Sequence, residues 1–460
     1  MNYPVWTVPF LGTTWIIGLV ACIHIFISHF AVGGGMFFAV TEWWAYKTGD
    51  DRIYDYLKKH SQFFLILTTV AGVVTGVGIW WAIGLVNPSG THTLIQIFTL
   101  GWAEEYLFFA AELATIFVYY YTWNRIPREQ HLSLAIWYAI MSVFTLIIIN
   151  GIITFMLTPG NWLESRYWLE GFFNETYWPS LFLRLLIMAA LAGMYALLTA
   201  SLIKSDLDFR AKMLKYASKW FIPIFILGPI IGYWYFTNLP ADAVENIMTG
   251  IQSSGIGNFS VLARAIYLSM ILSGTILVFV FVGPYLNPKG FSFNAALLFM
   301  VCGLVVTGIG EWSREMLRKP YVVYDYMYSN GILKDDAAKL NAQGTAFAMV
   351  AKWTPEGAST QRLGKDMFKY QCMSCHTQNG YRGIKRLLGE RDEEAIVSFL
   401  QLLQESDPDK NPYHGIMPPL VGTDAEVAAL AKYLATLKEN EPATQHVAAT
   451  TSGEPRTSLE

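Results

Sequence analysis

Runs of about 20 or more mostly apolar residues constrain this chain most, because a bilayer core of about 30 Å is crossed by a helix of that length. They fall at about 13–41, 62–86, 94–122, 132–157, 178–203, 219–236, 262–284 and 294–316. In lipid every backbone N–H and C=O must find a partner within the protein, so each run is predicted to be a helix. Composition agrees: only 15% of residues are charged, against about 25% in soluble domains. A net charge of −3 gives no footing for nucleic acid. The first run has no basic start and no clear cleavage site, so it reads as a span and not as a removable leader. Apolar character stops after Pro320. Residues 1–321 therefore read as a membrane domain, 322–355 as a polar linker and 356–440 as a small soluble domain. The tail 441–460, rich in Thr, Ala, Gly and Pro, reads as disordered. The expected fold is all-α: a polytopic transmembrane bundle of about eight spans with a small C-terminal helical domain.

Lys and Arg in the loops set the orientation. Lys47, Arg52, Lys58 and Lys59 follow the first run, Arg125 and Arg128 the third, and Lys204, Arg210, Lys212 and Lys215 the fifth. The alternate loops are nearly bare: 87–93 carries neither, and 158–178 carries only Arg166. The basic loops are expected on the cytoplasmic side, with both termini outside.

Cys372-Met-Ser-Cys375-His376 is C-x-x-C-H, in which two thiols bond the haem vinyls and the adjacent His ligates iron. A zinc site or a thioredoxin-like redox pair are the alternatives, and a zinc site would find only His414 downstream. Met417, in HGIMPPLVG, is the expected sixth ligand, with His414 as its competitor. Cys22 and Cys302 lie in apolar runs and read as small hydrophobes. Thr423-Asp-Ala-Glu426 is a capping box for a last helix. The region resembles a class I cytochrome c, with Gly364 and Phe368 on its first helix and Leu430 and Tyr433 on its last. Attachment of haem c outside the cytoplasmic membrane agrees with the orientation read independently from the loops.

Ionisable groups inside spans are costly and mark function. His24 and His29 are five apart on the first run, about 140° around a helix. His24 is a candidate haem ligand, and His29 is left between an added ligand, a metal contact and a hydrogen-bonded core histidine. The run GWAEEYLFFAAELAT holds Glu104, Glu105 and Glu112. These carboxylates could ligate a metal or carry protons, although Glu104 and Glu105 could also be solvated at a membrane boundary. Ser142 and Asn150, eight apart, could extend a polar path or simply pack helices. The last run ends GEWSREMLRKP, where Glu311/Glu315 and Arg314/Arg318 are i, i+4 pairs. They suit either a surface lattice or an iron and its propionates, which Arg can hold bidentately.

Taken together, residues of about 15–320 resemble subunit I of the cytochrome bd quinol oxidases. The resemblance places His24 on a histidine ligand of the two-haem oxygen site, in IHIFISHFAVGGGMFFAVTEWWAYKTG. It places Glu104 beside the oxygen-reactive haem and Glu112, Ser142 and Asn150 in its proton path. Glu315 falls on the carboxylate ligand of the second haem, with Arg318 after it, and Met270, in YLSMILSG, on a ligand of a low-spin b haem. There are departures. Arg184 stands where that low-spin haem's histidine is expected, the outer loop at about 237–261 is short, and no Gly-Arg-Tyr-Gln-like signature occurs. The cytochrome c region replaces the family's usual ninth span.

The resemblance implies one covalent haem c and one to three membrane haems of b or d type. It implies a respiratory oxidoreductase of the bacterial inner membrane, with haem c and the N-terminus on the periplasmic side, passing electrons between haem c and a membrane haem pair that reduces oxygen. Nitric oxide as substrate, or a non-catalytic relay subunit, are the alternatives. The implied partners are a second bd-like membrane subunit, membrane lipid, and a periplasmic cytochrome c or other haem protein, with quinone as a further candidate.

Overall fold

The computed structural model describes residues 6, 8–252, 258–345, 354–355, 357–405, 407 and 410–439. The tail expected at 441–460, residues 346–353 of the expected linker and 253–257 of the short outer loop lie outside the described residues.

The chain begins with α1 (Thr13–Thr48), α2 (Asp51–Ile66) and α3 (Val73–Val86), the last two forming one rod through a π-helical turn at Leu67–Gly72. Then follow α4 (Pro88–Ile97), α5 (Thr99–Tyr121), α6 (Arg128–Phe155), the short α7 (Trp162–Ser165) and α8 (Trp168–Phe172), and α9 (Tyr177–Ser201). The membrane domain closes with α10 (Leu207–Ser218), α11 (Ile222–Thr237), α12 (Ala241–Gln252), α13 (Asn258–Val280) and α14 (Phe293–Leu317). Among the described residues, seven helical segments are long and apolar enough to cross a bilayer. The eighth expected span, α5, is an unbroken helix of 23 residues along α6, and its three glutamates keep it from qualifying on apolarity alone. Two boundaries shift: Arg52, Lys58 and Lys59 lie on α2, and Arg210, Lys212 and Lys215 on α10, not in loops.

Gly33, Gly34 and Gly35 make α1 the central mast. Successive helical residues point about 100° apart, so the three face three neighbours. A Cβ at Gly33 would collide with the Met188 carbonyl of α9, one at Gly34 with the Phe64 ring of α2, and one at Gly35 would lie 2.8 Å from Tyr138 of α6. Small residues permit close backbone approach where lipid gives no hydrophobic drive to helix pairing. Lower on α1, the fully buried Glu42 accepts from Tyr54 Oη at 3.0 Å, Tyr119 Oη at 2.8 Å and His131 Nδ1 at 2.6 Å. One carboxylate thereby joins α1, α2, α5 and α6.

The basic turns share one side. Arg128 reaches Asp51 at 2.6 Å, Arg52 reaches Asp206 at 3.2 Å and Lys212 reaches Asp50 at 2.7 Å. Arg52 and Lys212 together hold the Asp50 carboxyl, the N-cap of α2, well below its ordinary range, at about 2.

The opposite side carries the rest of the chain. Residues read as a polar linker instead fold: β1 (Tyr321–Val323) pairs antiparallel with β2 (Met327–Tyr328), and α15 (Ala337–Gln343) follows. Val322, Val323 and Met327 bury against Phe155 and Trp162 of the membrane domain, while Tyr328, Ile332 and Leu340 pack on Val421 of the C-terminal domain. Asp325, Lys334, Asp335 and Asp336 dilute the hydropathy of this stretch and hid its apolar anchors. The C-terminal domain is built from α16 (Thr360–Met367), α17 (Ile384–Leu388), α18 (Glu393–Gln404) and α19 (Asp424–Glu439). Gly364 lets α16 cross α19 so closely that a Cβ would strike the Ala429 carbonyl, and Phe368 meets Tyr433 at 5.9 Å between ring centres. The expected capping box forms: Thr423 N donates to Glu426 at 2.9 Å and Glu426 N to Thr423 Oγ1 at 3.4 Å.

Candidate functional site

The C-x-x-C-H run leaves α16 through a π-helical turn at Phe368–Cys372. The amides of Cys375 and His376 both return to the Cys372 carbonyl, at 3.1 and 2.9 Å, which gathers both thiols and the imidazole on one tight turn. His376 Nδ1 donates to the Arg382 carbonyl at 3.0 Å, leaving the Nε2 lone pair for a metal. Burial pulls the imidazole below its ordinary value, against the opposing Arg382 carbonyl, and so favours the neutral form that ligates iron. Burial, with Cys375 beside it, pushes the Cys372 thiol up to about 12. A thioredoxin-like pair needs a depressed thiol instead. No group of three or more His, Cys, Asp and Glu suited to a metal ion occurs among the described residues. Met417 is half-buried in the turn after Asn411, its amide on Tyr413 O at 3.0 Å, whereas His414 is exposed.

In the membrane domain, His24 turns from α1 toward the α2–α3 rod. Nδ1 lies 3.1 Å from the Gly72 carbonyl and 3.2 Å from Thr75 Oγ1. That hydroxyl already donates to Ala71 O at 2.7 Å, so Nδ1 is the donor and Nε2 keeps its lone pair. A Cβ at Gly76 would lie 3.0 Å from the ring, so glycine there keeps the imidazole's flank clear. His24 and His376 thus present the same arrangement, a carbonyl fixing one nitrogen and the other left basic.

Of the α5 carboxylates only Glu112 is buried, accepting from Tyr138 Oη at 2.9 Å. Glu105 is half-buried and Glu104 lies on the exposed face of the helix. The expected polar path is not assembled by hydrogen bonds. Ser142 Oγ returns to Ala139 O of its own helix at 3.0 Å. Asn150 is spent on Tyr177 O at 2.9 Å and Ser180 Oγ at 2.8 Å. Ser180 leads elsewhere, to Arg184 Nε at 3.3 Å, whose Nη1 sits 3.3 Å from His29 Nε2. His29 and Arg184, both singled out in the sequence for different reasons, are therefore partners.

At the C-terminal end of α14, Arg314 binds Glu311 at 2.9 Å, and Glu315 is held by Arg318 on one oxygen and by Lys319 on the other at 2.9 Å. These i, i+3 and i, i+4 pairs form a salt-bridge lattice, one of the two readings open for this stretch, although Arg318 is buried and not on the surface. Arg318 also donates to the Val322 carbonyl at 2.8 Å. His29 Nδ1, Ser313 Oγ and Arg314 Nη1 are buried without a protein partner, unspent polar atoms that fit a bound polar group between α1 and α14. Met270 stands 64% exposed on α13, turned away from the other candidates.

The family model described as cytochrome bd terminal oxidase subunit I matches residues 13–240, and the cytochrome c model matches 361–438. The chain joins a cytochrome bd subunit I domain to a cytochrome c domain. Its fold is similar to that of the bd oxidase from Geobacillus thermodenitrificans, with a TM-score of 0.58 at 16% identity, over 66% of this chain and 85% of that one. No curated protein matches. The bd-type match contains His24, Glu104, Glu112, Ser142, Asn150 and Arg184, whereas Met270 and Glu315 lie beyond its end. The cytochrome c domain implies covalent haem c, the bd-type domain implies haems of b or d type, and the apolar helices make the chain an integral membrane protein.

Sequence reasoning missed Glu42 and His131. Glu42 and His131 each stand one residue outside an apolar run, 13–41 and 132–157, so the rule that selected His24 passed them over. The pairing of the two is a tertiary fact.

Proposed function

We propose that this chain is a respiratory oxidoreductase in which electrons pass between a periplasmic haem c and haem irons in the membrane domain, with oxygen as the acceptor. The observation that carries the reading is His24, an imidazole inside the bilayer whose Nδ1 is fixed and whose Nε2 is free. Its likeness to His376, in a motif whose chemistry is haem attachment, supports an iron ligand at both places.

In this reading Cys372, Cys375, His376 and Met417 would hold haem c, His24 and Glu315 would ligate haem iron in the membrane, and Arg314 and Arg318 would pair with haem carboxylates. Met270 and His29 are weaker claimants, the first by its exposure and the second by its bond to Arg184. Bound haem supplies one-electron exchange at iron. The chain's own residues do the rest. Glu112, buried and bonded to the Tyr138 hydroxyl, holds a proton at its carboxylate where water is scarce. Ser142 and Asn150 order the helices around it, since neither touches Glu112. Glu104, on the exposed face of α5, meets lipid or a second membrane subunit.

Electrons reach the membrane through haem c and not through a loop-bound quinol. Arg184 in place of a ligand histidine and the short outer loop favour this. A periplasmic haem protein is the donor, and the basic turns face the cytoplasm. The test is oxygen consumption by the purified chain with reduced cytochrome c and with quinol, supplied separately. Cytochrome c should support turnover and quinol should not; brisk quinol oxidation would refute the route.

A further inference from the structure

The haem-attachment turn is seated on the membrane domain. Thr13 Oγ1, in the first turn of α1, donates to the Met373 carbonyl inside the C-x-x-C-H run at 3.1 Å. The Tyr381 amide donates to the Phe10 carbonyl at 2.7 Å, and its ring meets Trp15 edge-on at 5.6 Å. Gly380 makes that contact possible, because a Cβ there would overlap the Phe10 backbone. A second anchor is the end of the hairpin and the segment that follows it: Tyr328, Ile332 and Leu340 pack on Val421, and Thr345 N donates to Glu426 at 3.0 Å.

We propose that the cytochrome c domain is a fixed electron port, locked with its haem-attachment turn on the outer end of α1, and not a carrier that swings between the membrane and soluble partners. The inference rests on the reading that electrons pass between haem c and the membrane domain. One electron crosses per step, leaving the donor iron oxidised and the acceptor iron reduced, with no bond made or broken. Thr13, Trp15 and Gly380 are positioning residues: they set where the turn sits and touch no reacting atom. A domain that swung free would break the backbone bond between Phe10 and Tyr381 and part the close approach that Gly380 permits. A soluble donor must then approach the face of the domain turned away from α1.

The test uses the full haem-loaded chain with Cys22→Ser and Cys302→Ser, spin-labelled at Glu164→Cys on α7 and Leu387→Cys on α17, both exposed. With haem c reduced, pulsed dipolar spectroscopy should give one narrow distance. A broad or two-peaked distribution in the otherwise native chain would overturn the port. Gly380→Val combined with Trp15→Ala should widen the distribution at least twofold with haem c content unchanged, and slow internal electron transfer after rapid reduction of haem c at least tenfold. Unslowed transfer in a variant whose distances have broadened would also overturn it. A narrow distance with no electron reaching the membrane in any form would instead sink the proposed function, leaving the docking intact.

Discussion

Glu112 is the one α5 carboxylate that the fold encloses, and its partner is a phenol, not a cation. A carboxylate in that setting is suited to holding a proton for delivery. Glu112→Gln keeps the shape and the hydrogen bond but removes the exchangeable acid, so turnover should fall roughly 10²-fold or more, in line with general acid–base contributions. Haem content should not change; a loss of haem in this variant would assign Glu112 a structural role instead. At this scale the sequence was informative wherever one residue type carries its own chemistry. C-x-x-C-H, His24 and Glu112 declare themselves by what they are and where they stand. Arg184 and His29 did not, because their meaning lies in a 3.3 Å contact between α1 and α9, across 155 positions of sequence. Ser142 and Asn150 left two readings open for the same reason. Their spacing suits a path, but only the fold shows that their hydrogen bonds go to Ala139, Tyr177 and Ser180.

Between elements, packing depends on where side chains are missing. The α16–α19 crossing admits nothing larger than glycine at 364, so Gly364→Ala must push the helices apart. Overpacking of this kind costs about 1–3 kcal/mol, and the full chain should lose haem c absorbance at a lower temperature on heating. Resistance equal to the parent would mean that the crossing yields freely. The α1–α2 turn makes a pH prediction. Asp50 has its folded pKa depressed to about 2 from an ordinary 3.8 by Arg52 and Lys212. A depressed carboxylate stabilises the fold above its unfolded pKa, and that contribution is lost as pH falls through the folded one. Unfolding should therefore become easier between about pH 4 and pH 2, and Asp50→Asn should flatten that part of the profile; an identical profile would discount the turn. The apolar runs made most spans legible, and Thr423 and Glu426 announced α19. The β1–β2 wedge stayed hidden because its anchors are few and interleaved with charge, and its burial depends on two domains meeting.

The whole molecule has two polar ends with different tasks. One gathers the basic turns through Asp50, Asp51 and Asp206, and the other seats the cytochrome c domain over the start of α1. The domain order was readable from composition and one motif, whereas the seating needed tertiary structure. Between the ends stands the central claim, that imidazole and carboxylate side chains within the bilayer hold iron. The most direct test is a haem inventory of the purified chain, by pyridine haemochrome spectra together with intact mass. The account predicts one covalent haem c plus extractable haem of b or d type, with part of the extractable pool lost in His24→Ala. A chain whose only porphyrin is the covalent one would contradict it.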